Sequence, residues 1–449
     1  MLLLFCTILR KDSYYIQKGC EIMKNTYNLK YPIIIIPGLF GSWGEGIFMD
    51  NNRLGFGPAK EIYSPLLDFL IKNGYRPYKN LYIAFYNWRI DNSISAKKYL
   101  IPVINKAKAI SKTNKVILIC HSMGGLVARS YIQGSDYQND VDTLIMLGTP
   151  NSGSSTSYLF WEGGEVPYEN LNSNILFKIF WNSYLWHLKK NYNSGELYSL
   201  QEYFPSIKQF LPTKLFYGPY LYRQNKYGRK RYINIENMKE QNSFLESLNI
   251  RIESLKERVE NIHQIIGYGY LTNDSIQIKY GDRNKWMDGK PVKINKTTSG
   301  DGTVTVNSSK ISGVNKYYIK KDHSDLVKYS NDIIKDILGL RYSRKAIEDR
   351  NVYISLLLED VKSLKLQIDK DMIKNNEVYK YNYITPIPLE NEGYWLIIKR
   401  KNIKHLELEI DPKEAKEASL LFSSNKDMIG FDNFKEEKLS SKTKFQLIQ

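Results

Sequence analysis

Residues 116–125 read Val116-Ile117-Leu118-Ile119-Cys120-His121-Ser122-Met123-Gly124-Gly125. The run opens with four apolar residues, the mark of a short buried strand. It closes on two glycines, and Leu126, Val127, Ala128 and Tyr131 then continue as one apolar stretch at helical spacing. The reading is a strand, a sharp turn and a helix, with Ser122 at the corner. Gly124 removes a Cβ that would collide with the strand, and Gly125 lets the helix pack close. A tight turn carrying a solvated serine is the competing reading. The remaining components of a nucleophilic site decide between them.

A serine hydroxyl needs a base to take its proton and an acid to orient that base. Where the serine sits on a strand-to-helix corner, the chain order is serine, acid, histidine. The chain has five histidines, and only His323 and His405 follow a good acid candidate. His323 lies in Tyr317-Tyr318-Ile319-Lys320-Lys321-Asp322-His323-Ser324-Asp325-Leu326, a strand end, a short loop and the start of a helix ending near Leu340. His405 lies in a peripheral strand and reads as an ordinary surface histidine. The acid is assigned to Asp301 in Ser299-Gly300-Asp301-Gly302-Thr303-Val304, where flanking glycines let the backbone aim the carboxylate inward. A calcium loop would need more oxygen ligands than Thr303 and Asn307 supply. Asp322 and Asp325 are rivals by proximity, but a neighbour in sequence rarely faces the imidazole ring.

Upstream, Tyr31-Pro32-Ile33-Ile34-Ile35-Ile36-Pro37-Gly38-Leu39-Phe40-Gly41-Ser42 reads as a buried parallel strand and the loop after it. Such a loop supplies one oxyanion donor, assigned to the Leu39 amide, and the residue after the nucleophile, Met123, supplies the other.

Assembled, these components resemble the lecithin:cholesterol acyltransferase-like branch of the lipases, from about Tyr31 to Leu340. The pieces are Pro37–Ser42, Tyr86-Asn87-Trp88-Arg89, Cys120–Gly125, Gly148-Thr149-Pro150-Asn151-Ser152-Gly153-Ser154, Gly267-Tyr268-Gly269, Gly300–Val304 and His323. The resemblance implies an α/β-hydrolase core with a mostly parallel sheet. It puts the nucleophile on Ser122, the acid on Asp301 and the base on His323. Family members usually carry Asp-Trp-Arg where this chain has Asn87-Trp88-Arg89, and Gly or Ala at Cys120. Both departures bear on substrate identity more than on the chemistry. The resemblance does not cover the last hundred or so residues.

Five segments are expected: an N-terminal extension (1–28), a first core segment (29–160), a largely helical cap insertion (161–262), a second core segment (263–340) and a small C-terminal module (341–449). The apolar start Met1–Leu9 lacks a basic stretch before it and a cleavage site after it. Met23 is the alternative start. The cap follows the strand Leu144–Leu147, taken as the fold's sixth. It contains the aromatic, basic-ended stretch Ile175–Lys190 and a cluster from Arg223 to Arg231. Phe40, Trp88, Phe177 and Trp181 are candidate substrate and cap residues. The stretch 175–190 reads equally as a membrane-touching lid or as a buried cap core. The spacing of Leu245, Leu248, Ile252, Leu255, Val259 and Ile262 predicts one long amphipathic helix. Val352, Leu356, Val361 and Leu364 predict another, with two strand-like runs after it.

The net charge of +17 draws the chain to anionic surfaces. No nucleic-acid motif is present, so a peripheral contact with anionic membrane is the expected use. Three cysteines cannot supply a disulfide framework and favour a reducing, cytoplasmic setting. No metal or organic cofactor is implied. The expectation is a serine hydrolase that cleaves or transfers acyl groups of lipid esters, with oligomeric state open. An amidase or peptidase on the same fold, and a non-catalytic membrane- or partner-binding protein on a hydrolase scaffold, are the alternatives.

Overall fold

Four consecutive isoleucines have no polar face to show to water, so they must be covered on both sides. In the computed structural model they form β1 (Ile33–Ile36), with every residue buried. The structure describes residues 30–43, 54–164, 201–214, 219–280, 286–342, 352–388, 393–414, 416–424 and 435–448. The N-terminal extension and the aromatic stretch 175–190, with Phe177 and Trp181, lie outside the described residues.

Helix α1 (Lys60–Lys72) leads to β2 (Leu81–Ile83), and α2 (Ile101–Ser111) to β3 (Val116–His121). Helix α3 (Met123–Ile132) and β4 (Val141–Leu147) follow. After α4 (Thr156–Gly163), the chain builds β5 (Leu221–Gln224), β6 (Lys230–Tyr232), α5 (Ser243–Ile250) and α6 (Ile252–Arg258). It then runs through β7 (Asn261–Gly267), β8 (Thr272–Lys279), β9 (Lys290–Thr297) and β10 (Asn315–Ile319), ending the core in α7 (Asp325–Tyr329) and α8 (Asn331–Leu338).

The central sheet has the order β10-β7-β4-β3-β1-β2, and its pairings are all parallel. This is the α/β-hydrolase core. The strand before the cap is the fourth of the described strands. β3 lies beside β1, so the loops after both strands open side by side at the carboxyl edge, where such sheets place their chemistry.

The segment expected as a cap holds strands as well as helices among its described residues. Strands β6-β5-β8-β9 form a second sheet that joins residues 221–232 to residues 272–297. The long helix expected over 245–262 is broken. Arg251 separates α5 from α6, Val259 is extended, and Ile262 lies in β7. Apolar spacing of three and four persists across the break because both helices and the strand start bury residues against one core.

The C-terminal segment is a two-sheet sandwich. Its strands are β11 (Val352–Glu359), β12 (Val361–Ile368), β13 (Asp371–Lys374), β14 (Ile384–Pro388), β15 (Tyr394–Arg400), β16 (Leu406–Pro412), β17 (Ala418–Ser424), β18 (Lys435–Leu439) and β19 (Thr443–Ile448). Sheet β14-β15-β11-β17-β18 faces sheet β13-β12-β16-β19. The helix expected through Val352 and Leu364 is therefore two strands. Pairing shifts register between Val361 and Ser363, so Val361 and Leu364 share the buried face at a helix-like spacing.

Candidate active site

Ser122 sits at the corner between β3 and α3 with φ 51° and ψ −121°, a backbone region that non-glycine residues rarely enter. Its amide donates to Leu147 O at 2.8 Å, which ties the corner to β4. A Cβ on Gly124 would collide with the Ile36 carbonyl, so the helix can lie on the end of β1 only with glycine there. Cys120 stays in the strand, fully buried, and burial raises its thiol well above the ordinary range.

Asp301 is 1% exposed, and its carboxylate is fully engaged. Oδ1 accepts the amides of Thr303 (3.0 Å) and Val304 (2.8 Å). Oδ2 lies 2.7 Å from His323 Nδ1. The His323 amide also donates to Asp301 O at 2.9 Å, so main chain and side chain fix the pair together. Burial lowers the His323 pKa, but the charge and hydrogen bond of Asp301, aided by Asp322, outweigh it and leave the group raised. The rival Asp322 is occupied differently. Its Oδ1 accepts the Ser324 and Asp325 amides at 3.0 and 2.9 Å, which starts α7. Asp325 pairs with Lys328 at 3.1 Å. His405 lies in the sandwich, hydrogen-bonded to Gln446.

The glycine motifs at 148 and 267 gain a reason here. A Cβ on Gly148 would stand 3.1 Å from both Asp301 Oδ2 and His323 Cε1, and one on Gly267 would stand 2.6 Å from Asp301 Cβ. Both leave room for the Asp–His pair.

One network escaped the sequence reading. Gly38 N donates to the Tyr63 hydroxyl at 2.9 Å. Tyr63 Oη lies 3.0 Å from His121 Nδ1, and His121 Nε2 lies 3.0 Å from His323 O. Burial, with His323 nearby, drops the His121 pKa to about 3, so its ring is neutral. One tautomer satisfies every contact. Tyr63 accepts from Gly38 and donates to Nδ1, and Nε2–H donates to the His323 carbonyl. The loop after β1, the serine corner and the loop that holds His323 are thus joined through Tyr63 of α1 and His121. The His121 and His323 ring centroids are 4.9 Å apart.

The loop after β1 turns through Leu39 and Phe40, closed by Gly41 N on Gly38 O at 2.9 Å. Met123 is the first residue of α3, where an amide has no intrahelical acceptor. Phe40 and Trp88 are 4% and 0% exposed. They pack edge-on at 4.5 Å, and Trp88 Nε1 donates to Ser42 O. Both side chains support the loop from within the core.

Residues 46–264 match the family model described as lecithin:cholesterol acyltransferase. Over that stretch the chain is similar to the lecithin:cholesterol acyltransferase family. The chain is accordingly an ester hydrolase or O-acyltransferase on an α/β-hydrolase core. The family match contains Ser122, Met123 and Tyr63 but stops short of Asp301 and His323. Similar solved structures include Bacillus licheniformis lipase BlEst2 in propeptide form, at 14% identity over 85% of this chain and 71% of that one (TM-score 0.37). Another is the Tle4–Tli4 complex, at 14% identity over 69% and 97% (TM-score 0.44). A third is phospholipase PlaB from Legionella pneumophila, at 12% identity over 88% and 90% (TM-score 0.32). No curated protein matches the chain.

Helix α3, which follows the Ser122 corner, is anchored by Arg129, which is fully buried. Its guanidinium reaches Asn151 Oδ1 (3.0 Å), Asn249 Oδ1 (2.8 Å) and Gln133 Oε1 (3.0 Å). Burial among these neutral partners lowers its pKa to about 9. Arg129 ties α3 to the loop after β4 and to α5. Among the described residues no cluster of metal-ligating side chains is present.

Proposed function

We propose that this protein is a lipid-directed serine acyl hydrolase or acyltransferase that works through an acyl-enzyme on Ser122. Ser122 Oγ attacks the ester carbonyl carbon and gives its proton to His323 Nε2. The amides of Leu39 and Met123 receive the developing oxyanion, a service worth about 10²–10³ in rate per donor. The C–O bond breaks, and His323 returns the proton to the leaving alcohol. A second acceptor then gives its proton to His323 and attacks the acyl carbon, and Ser122 leaves reprotonated. Water as acceptor gives hydrolysis, and an alcohol gives transfer. Asp301 holds Nδ1 protonated and steadies the imidazolium throughout. The observation that carries this reading is the 2.7 Å contact of His323 Nδ1 with Asp301 Oδ2, buried beside the Ser122 corner.

The lipid preference is supported by the cap sheet. Arg223 stands directly across from Arg231, and Lys279 from Lys290, although like charges in register repel. Arg229, Lys230, Arg231, Lys279 and Lys290 are exposed, and none of them forms an ion pair among the described residues. Tyrosines interleave them: Arg223 lies over Tyr280, Lys230 over Tyr222 and Lys226 over Tyr227. Tyr227 and Tyr280 are 81% and 68% exposed. Cations with amphipathic rings suit an anionic headgroup layer. No helix among the described residues is long and apolar enough to cross a membrane, so the contact is read as peripheral. The buried free thiol of Cys120 and the low cysteine count fit a reducing, cytoplasmic setting.

Turnover of a short panel of acyl esters, in solution and in anionic vesicles, tests the reading. Activity on vesicles should fall as salt rises, while activity on a short soluble ester holds. Replacing Arg229, Lys230 and Arg231 with glutamine should mimic the salt effect, by about 1 kcal/mol per charge. Equal loss on both substrates would remove the membrane role.

A further inference from the structure

The C-terminal sandwich buries both faces of its five-stranded sheet. One face packs against the second sheet of the sandwich. On the other, Leu357, Trp395, Ile397 and Leu421 join the hydrophobic core of the hydrolase. Leu357 is in register with both Trp395 and Leu421, so these side chains form one row across three strands. Trp395 is fully buried, and its Nε1 donates to Ser355 Oγ at 2.9 Å, which fixes its ring. An ion pair between Lys399 and Glu61 of α1 secures the same edge.

What Trp395 meets is Trp43. The rings pack edge to face, with centroids 5.6 Å apart at 78°. Trp43 Nε1 in turn donates to Phe40 O at 2.7 Å, and its ring stacks on Phe40 at 6.1 Å. Phe40 has φ 58°, a region that favours glycine. Such a conformation persists only where its surroundings over-determine it. Here the Trp43 hydrogen bond and the two tryptophan rings do so, at the residue next to Leu39.

We infer that the C-terminal sandwich is a positioning element for catalysis. Trp395 holds Trp43, Trp43 holds the strained Phe40, and Phe40 sets the turn that aims the Leu39 amide at the oxyanion. This gives the C-terminal sandwich, to which no chemistry of its own is assigned, a role in the rate. It rests on the oxyanion assignment proposed above.

The test uses the full chain with Trp395→Ala, Trp395→Phe and Trp43→Phe. Trp43→Phe keeps a ring against Trp395 but loses the donor to Phe40 O, and it decides the matter if Trp395→Ala does not fold. The readouts are kcat and KM on a short soluble ester, and Kd for a boronic acid that mimics the tetrahedral adduct. Trp395→Ala and Trp43→Phe should lower kcat by roughly 10- to 100-fold, less than complete loss of a donor. KM should stay near the parent value, the boronate should weaken by the same factor as kcat, and Trp395→Phe should restore most of the rate. Unchanged kcat in Trp43→Phe and Trp395→Ala would overturn the inference. So would a rise in kcat, which would make the sandwich a restraint, or a loss carried equally by kcat and KM. Fluorophosphonate labelling of Ser122 in the parent protein separates the two claims. If the parent labels there and the tryptophan variants keep their kcat, only the role of the sandwich fails.

Discussion

The central sheet and the C-terminal sandwich bury their residues for different ends. At the carboxyl edge of the central sheet the buried groups include Ser122, His121, His323, Asp301 and Tyr63. Four of these five hold side-chain hydrogen bonds to named partners, and the fifth is the serine at the corner. The sandwich interior holds isoleucine, leucine and valine, and its ion pairs, such as Lys365–Glu409 and Lys444–Glu407, stay at the rim. A buried polar group costs free energy unless it is paired, so a dense buried polar cluster marks a place kept for chemistry. Between its two sheets the sandwich has no such cluster among the described residues and serves by shape.

The largest effects expected are at the polar edge. Ser122→Ala and His323→Ala should lower ester turnover by about 10⁴-fold or more with the fold intact, and Asp301→Asn should be damaging but milder. Asp322→Asn should leave most activity, because that carboxylate caps α7 instead of touching the ring. Near-full activity in Asp301→Asn with loss in Asp322→Asn would reverse the acid assignment. In the sandwich, Leu408→Ala removes a fully buried side chain and should cost about 2–5 kcal/mol of the stability of that module, seen in thermal or urea unfolding. Loss of kcat in Leu408→Ala while the sandwich remains folded would blur the contrast between the two regions.

Tyr63→Phe should have a smaller effect, lowering kcat by about tenfold, since one hydroxyl bonds both Gly38 N and His121. An unchanged rate would show that the network is only packing. The smallest effect is on pH. The His323 pKa is raised in the folded protein, and only its neutral form can take the serine proton. The acid limb of kcat/KM should therefore lie above the ordinary imidazole value of about 6.5, and Asp301→Asn should move it down. A limb below that value in the parent would contradict the pairing.

The two regions also differ in how far the sequence can be read. The serine corner, the isoleucine strand and the Gly-Asp-Gly turn are legible because each is a local pattern whose spacing has one physical cause. Asp301 and His323 are 22 residues apart yet can be paired, because each closes a recognisable turn. Tyr63 cannot be found that way. It lies 58 residues from His121, on a helix whose pattern reports burial and nothing about a hydroxyl. The first sandwich strands read as a helix because the register shift after Val361 breaks the alternation that marks a strand. The contact of Trp395 with Trp43 joins residues over 300 positions apart, and no local pattern encodes it.

The central claim is that Ser122, Asp301 and His323 act as one unit, and the rate and position of fluorophosphonate labelling test it most directly. In the parent protein, mass spectrometry of the labelled chain should find the phosphonate on Ser122 alone. The labelling rate should fall by about 10³-fold or more in His323→Ala and by less in Asp301→Asn. A label on another residue, or a Ser122 rate indifferent to His323, would contradict the account.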